Sequence, residues 1–142
     1  MPAFLSPAPL AVGAGCLLAG CGPTAPTYVP DLAGTVTLNG GPYKPAKGER
    51  LVLVLQEPKS LSTTEVAVKP DGTFRSAGIN GLGVPAAVYT VEVMLFGRPP
   101  GGPLFAGREP LAPGAPVGAT LKQKLDLTAG GGPFDLDLGQ WE

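Results

Sequence analysis

The nine residues VYTVEVMLF, Val88 to Phe96, decide how this chain folds. Tyr89, Val91, Val93 and Leu95 share one face of an extended chain while Thr90 and Glu92 lie on the other, the period-two alternation of a half-buried strand. Working upstream, Pro70-Asp71-Gly72 is a tight turn joining the alternating stretch Thr63–Lys69, with Val66 and Val68 inward, to the return strand Thr73-Phe74-Arg75. Before it, Leu51-Val52-Leu53-Val54-Leu55 is too short for a typical helix. It reads as a central strand, covered on both faces or set in mid-sheet, and ended by Pro58. Val36 and Leu38 alternate with Thr35 and Thr37, and Asn39-Gly40-Gly41 tolerates the positive φ that reverses the chain.

Downstream, Leu121, Leu125 and Leu127 alternate with Lys122, Lys124 and Asp126, and Phe134, Leu136 and Leu138 alternate with Asp135 and Asp137. The expectation is an all-β fold, a β-sandwich, from seven strand candidates and no helix. The domain is expected over residues 34–142. Between strands, residues 97–118 hold 12 Gly or Pro among 22. Connections of that length are functional or mobile, and this one is expected to project from an end or edge of the sandwich.

The N-terminal part has a different composition, since all 21 charged residues fall at or after Asp31. An apolar opening ends in Leu18-Ala19-Gly20-Cys21. Small residues before the cut suit a signal peptidase cleft, and Cys21 offers a thiol for a diacylglyceryl thioether. Residues 1–20 are therefore expected as a lipoprotein signal peptide, with Leu18, Ala19 and Gly20 as the recognition residues and Cys21 as the lipidation site. No Lys or Arg precedes Cys21, so only the α-amino group charges the leader; ordinary secretory cleavage or a buried apolar N-terminus is the alternative. The leader is too short and too broken by proline and glycine for a span of ~20 apolar residues. Residues 21–33 read as an extended tether, able to hold the domain ~35 Å from a bilayer at ~3 Å per residue.

The net charge of −1 leaves no basic footprint, so nucleic acid is not an expected partner. Residues 21–142 contain a single cysteine, which excludes an intramolecular disulfide there. There is no histidine, which removes His-based acid–base catalysis, the usual serine triad and imidazole zinc sites.

Taken together, the lipobox, GTVTLNGGP, VKPDGTF, VYTVEVMLFG and LDLTAGGGPFDLDL resemble small bacterial lipoproteins with a carboxypeptidase-regulatory-like domain. These belong to the transthyretin-like (prealbumin-like) sandwiches. The likeness covers about residues 34–138, and Asp71-Gly72-Thr73-Phe74 followed by Tyr89-Thr90-Val91 is its most distinctive element. It implies a seven-stranded, Ig-like or transthyretin-like sandwich of two sheets, usually a non-catalytic accessory domain. The Gly/Pro-rich segment 97–118 departs from that pattern.

Other constellations are weighed on their chemistry. Gly78-Ile79-Asn80-Gly81-Leu82-Gly83 has the glycines of a phosphate loop, but Pro85 and a strand follow where a helix N-terminus is needed. Asp135 and Asp137 face the same way and, with Asp126, have the oxygens of a calcium site. A solvated face paired with Lys122 and Lys124 across a hairpin is the favoured alternative. Trp141 is expected to pack over the end of the sandwich. No cofactor and no metal are expected.

The leading functional expectation is a non-enzymatic, lipid-anchored cell-envelope protein, a β-sandwich structural or interaction module displaying loops at a membrane surface, with the membrane and an envelope protein or glycan as partners. Gly22, rather than aspartate, follows Cys21, which by resemblance to lipoprotein sorting points to the outer membrane. The alternative is a small-ligand or glycan binder with residues 76–87 and 97–118 as a pocket rim. A hydrolase using Ser60, Ser62 or Lys44 comes third, for want of a base partner.

Overall fold

The computed structural model describes residues 27–98, 105, 107–108, 110, 112, 114–130 and 132–142. Leu18, Ala19, Gly20 and Cys21 lie outside the described residues, and with them the signal peptide and the lipidation site.

The described chain is all-β, and its ten strands are β1 (Tyr28–Val29), β2 (Leu32–Leu38), β3 (Gly41–Pro42), β4 (Arg50–Gln56), β5 (Thr63–Ala67), β6 (Thr73–Ser76), β7 (Val84–Pro85), β8 (Val88–Phe96), β9 (Val117–Asp126) and β10 (Phe134–Asp137). One four-stranded sheet runs β5–β4–β8–β9, antiparallel throughout. In the second, β10 lies parallel to β2 on one side, while β3 and β6 pair antiparallel with β2 on the other. β1 and β7 form a two-stranded ribbon.

Alternation puts one face of each sheet into a single shared core. Tyr89, Val91, Val93 and Leu95 of β8 and Leu51, Leu53 and Leu55 of β4 are buried, and they meet Leu32 and Val36 of β2, Phe74 of β6 and Leu136 of β10. This is a β-sandwich: each sheet has an apolar face that must be covered, and the other sheet covers it. β4 sits in mid-sheet, between β5 and β8, with Val52 and Val54 half-buried on its outer face. The turn at Asn39-Gly40 has φ of 55° and 81° and brings Leu38 opposite Gly41, the two-residue hairpin suited to the right-handed twist of strands.

Four departures from the sequence reading have physical causes. Residues 28–33 are not tether. Val29 and Leu32 are buried, β1 pairs with β7, and Asp31 forms a two-point ion pair with Arg75 of β6. The turn at Pro70-Asp71-Gly72 forms, with Lys69 N donating to Thr73 O at 2.8 Å, yet its two strands separate into different sheets: β5 joins β4 and β6 joins β2.

No hairpin joins β9 to β10, so Lys122 and Lys124 do not pair with Asp135 and Asp137. Lys124 instead donates to Thr90 Oγ1. The cause is an irregularity in β9: Thr90 faces Lys124 but Glu92 faces Thr120, so the stretch Leu121–Gln123 lies opposite Val91 alone. There β9 bends toward the other sheet. Leu121 bridges to Trp141, and the Gln123 amide donates to Asp135 O at 2.8 Å and accepts from Asp137 N at 3.3 Å. The side chain thus occupies the open edge of β10, where backbone groups would otherwise lack protein partners.

Finally, segment 97–118 is not wholly a projection. Val117 already belongs to β9, and Phe105 is a buried member of the core.

Candidate functional site

Strand register gives the sandwich two poles. Gln56 ends β4, Thr63 begins β5, Val88 begins β8 and Asp126 ends β9 at one pole, which Thr27 and β1 also occupy. It is here called the proximal pole, because the N-terminal chain joins the domain at it. At the distal pole lie the β2–β4 connection, the end of β8 at Phe96 and the start of β9 at Val117, while the C-terminal residues Trp141 and Glu142 run beside Leu121 and Thr120, midway along β9.

The proximal pole is built from the 57–62 and 77–87 connections around Tyr89. Tyr89, near the start of β8, is buried, and its hydroxyl donates to the O of Pro85, four residues upstream at the end of β7, at 2.7 Å. This is the arrangement called a tyrosine corner, in which a core ring pins the connection that precedes its own strand. Burial, and then the carboxylate of Glu57, push the phenol up from its ordinary pKa. The 57–62 connection closes on itself: Leu61 N donates to Glu57 O at 2.9 Å and Glu57 N to Ser62 O at 3.0 Å. A recess of about 410 Å³ opens between Pro58, Lys59, Val88, Tyr89 and Lys124. Beside it, a second of about 220 Å³ is lined by Tyr28, Ser62, Ile79, Leu82 and Tyr89.

At the distal pole, Glu49 Oε2 accepts from the Tyr43 hydroxyl at 3.1 Å and from Ala46 N at 3.1 Å, while Glu49 Oε1 lies 3.7 Å from Arg98 Nε. Burial, with the Glu49 charge next, pushes Tyr43 up to about 12. Trp141 packs against the core, edge-on to Phe105 with ring centroids 5.8 Å apart, but it lies beside Leu121 midway along β9 rather than over an end of the sandwich. The Arg108 guanidinium stands 5.1 Å over the indole and donates to Glu142 O.

The structure scatters most of the chemistry considered from sequence. Ser60 and Ser62 lie together at the proximal pole, with Ser60 Oγ bonded to Glu57 and 2.7 Å from Ser62 Oγ. Lys44, in the β3–β4 connection, belongs to the distal pole, so it is not brought to either serine. Asp126 accepts from Thr128 N and Oγ1, and Asp137 from Gly139 N, each closing a local turn. Among the described residues no three His, Cys, Asp or Glu side chains gather as metal ligands. Gly78–Gly83 forms turns, closed by Gly83 N donating to Ala77 O, and leads into β7 rather than a helix. The two connections expected to share a pocket rim are rooted at opposite poles: 76–87 lies at the proximal one, while the segment 97–118 leaves β8 at Phe96 and enters β9 at Val117, at the distal one.

Sequence reasoning missed the apolar character of the proximal pole. Its signal was present: residues 76–91 carry no charge, yet Ile79 and Leu82 do not follow the alternation of either neighbouring strand. Among the described residues no helix is long and apolar enough to cross a membrane. No protein-family model matches the chain, and no curated protein and no solved structure matches it either.

Proposed function

We propose that this chain is a lipid-anchored bacterial envelope protein whose β-sandwich serves as a non-enzymatic structural or interaction module, of the transthyretin-like kind that its motifs resemble. Cys21, following Leu18-Ala19-Gly20, is the lipidation site in this reading, with residues 1–20 removed and the outer membrane as destination. The observation that carries it is the polarity of the domain. Thr27 joins the fold at one pole, while β8 ends at Phe96 and β9 begins at Val117 at the other, so that both roots of the Gly/Pro-rich connection are distal. A chain anchored at Cys21 would therefore offer its distal loops to the surroundings, where loops commonly carry recognition. Two or three acyl chains, at ~0.8 kcal/mol per buried CH₂, make such retention secure where one does not.

The test is fractionation of the Cys21→Ser variant beside the unchanged chain. The unchanged chain should sediment with membranes and the variant should appear as soluble or uncleaved precursor. Equal membrane retention of both, with no difference in mass beyond the substitution, would remove the anchor.

A further inference from the structure

Resting on the anchor reading, we infer that the proximal pole is a bilayer-contacting tip, which dips apolar side chains into the lipid interface and so sets the domain upright on the membrane. The large apolar residues exposed among the described residues are Tyr28, Leu61, Ile79, Leu82 and Val88, with Leu61 74 %, Ile79 82 % and Leu82 65 % accessible. All belong to this one pole. Scattered single apolar residues need no explanation, but convergence on one end of a sandwich marks a contact surface.

Leu61 holds a backbone φ of 56°, an uncommon conformation for a bulky residue, and the result is a leucine aimed outward at the tip of its connection. The 77–87 connection carries no charge, so nothing in it resists transfer from water. Lys59 and Lys124 stand on the rim of the larger recess, at the height where anionic headgroups would meet them. Glu57 and Asp126, at the same pole, are each engaged by neighbouring hydroxyls.

The occupant follows from chain length. Because residues 28–33 are folded, only the step from Cys21 to Thr27 separates an acylated sulfur from the domain. Six residues reach about 20 Å at most when fully extended. The nine residues of β8 make the sandwich itself about 30 Å long. The proximal pole is thus held near the bilayer while the distal pole stands a domain length further off. A partner protein or a second copy has no comparable constraint bringing it to this end.

The test uses the full-length chain expressed in a bacterial host, in two forms. The unchanged chain carries its single tryptophan, Trp141, away from the tip, opposite Leu121 midway along β9. The double variant Trp141→Phe, Ile79→Trp carries it at the tip. Each is mixed with an excess of phosphatidylcholine–phosphatidylglycerol vesicles, with or without bromine on the acyl chains. Bromine should reduce emission of the double variant by about two-fold or more, as for a side chain sunk ~5–10 Å into the headgroup boundary, and leave Trp141 of the unchanged chain unaffected. Equal emission of the double variant in both vesicle types would overturn the tip. So would quenching of Trp141, or a vesicle-independent, concentration-dependent dimer that shields position 79.

The mass of the N-terminal peptide reports separately on the anchor. If that peptide carries no acyl group, the anchor reading falls, and the same quenching at vesicle excess still decides the tip. Leu82→Trp in the Trp141→Phe background replaces Ile79→Trp if circular dichroism shows the first variant misfolded.

Discussion

The Tyr89 hydroxyl donates to the carbonyl of Pro85 at 2.7 Å, across four residues that turn from the β1–β7 ribbon into the central strand β8. One end of this ring fills the core and the other holds the connection on which the proximal pole is built. Removing the hydroxyl alone separates those roles. Tyr89→Phe should keep the fold and lose about 1 kcal/mol, the net worth of a buried hydrogen bond, in a urea titration. A loss near zero would show that the corner contributes nothing.

Gly34 lies in β2 between β10 and β6, and a Cβ added there would stand 2.2 Å from Phe134 O and 2.5 Å from Phe74 Cζ. Neither neighbour can yield cheaply, because one is backbone of a paired strand and the other a buried ring. Gly34→Ala should therefore cost about 3 kcal/mol, at the upper side of ordinary overpacking, by equilibrium unfolding. Unchanged stability would contradict the close parallel approach of β10.

Phe105 is 2 % exposed and edge-on to Trp141. It ties the long β8–β9 connection to the core, so Phe105→Ala should destabilise the domain by about 3 kcal/mol in the same assay. If the change costs nothing, the connection is a bystander, and the distal pole lacks the fixed frame given to it here.

Acid should weaken the fold through surface carboxylates. Hydrogen bonds hold three of them below their ordinary pKa: from Arg75 to Asp31, from the Thr73 hydroxyl and backbone to Asp71, and from the Thr128 hydroxyl and backbone to Asp126. A carboxylate depressed in the folded state contributes fully above its unfolded pKa, about 4, and loses that contribution as pH falls through the folded value. Thermal midpoints should fall steadily below about pH 4, and Asp71→Asn together with Asp126→Asn should flatten the fall. With no histidine in the chain, little change is expected between about pH 5.5 and 7.5. A pronounced midpoint shift inside that neutral window would contradict the assignment.

Periodicity made the main strands legible. β8, β4 and β2 announce themselves because alternate residues must face one shared core, and Asn39-Gly40 announces a hairpin because both positions need positive φ. Partner choice was less legible. The turn at Pro70-Asp71-Gly72 reads as a simple hairpin, but which sheet each strand joins depends on residues far away in the chain. The same holds for β10, whose parallel partner β2 precedes it by 100 residues in register (Phe134 opposite Gly34). Val29 and Leu32 were hidden by Pro30 between them, which breaks the alternation and reads as tether. Phe105 was hidden as one apolar residue among glycines and prolines. At the proximal pole, the uncharged run around Ile79 was visible, but its exposure was not, since period alone does not say which loop residues find a core.

The most direct test of the lipid-anchored reading is the mass of the N-terminal peptide of the protein purified from bacterial membranes. The account predicts a peptide beginning at Cys21 and carrying diacylglycerol on its sulfur. A soluble protein that still begins at Met1, with an unmodified Cys21, would contradict it.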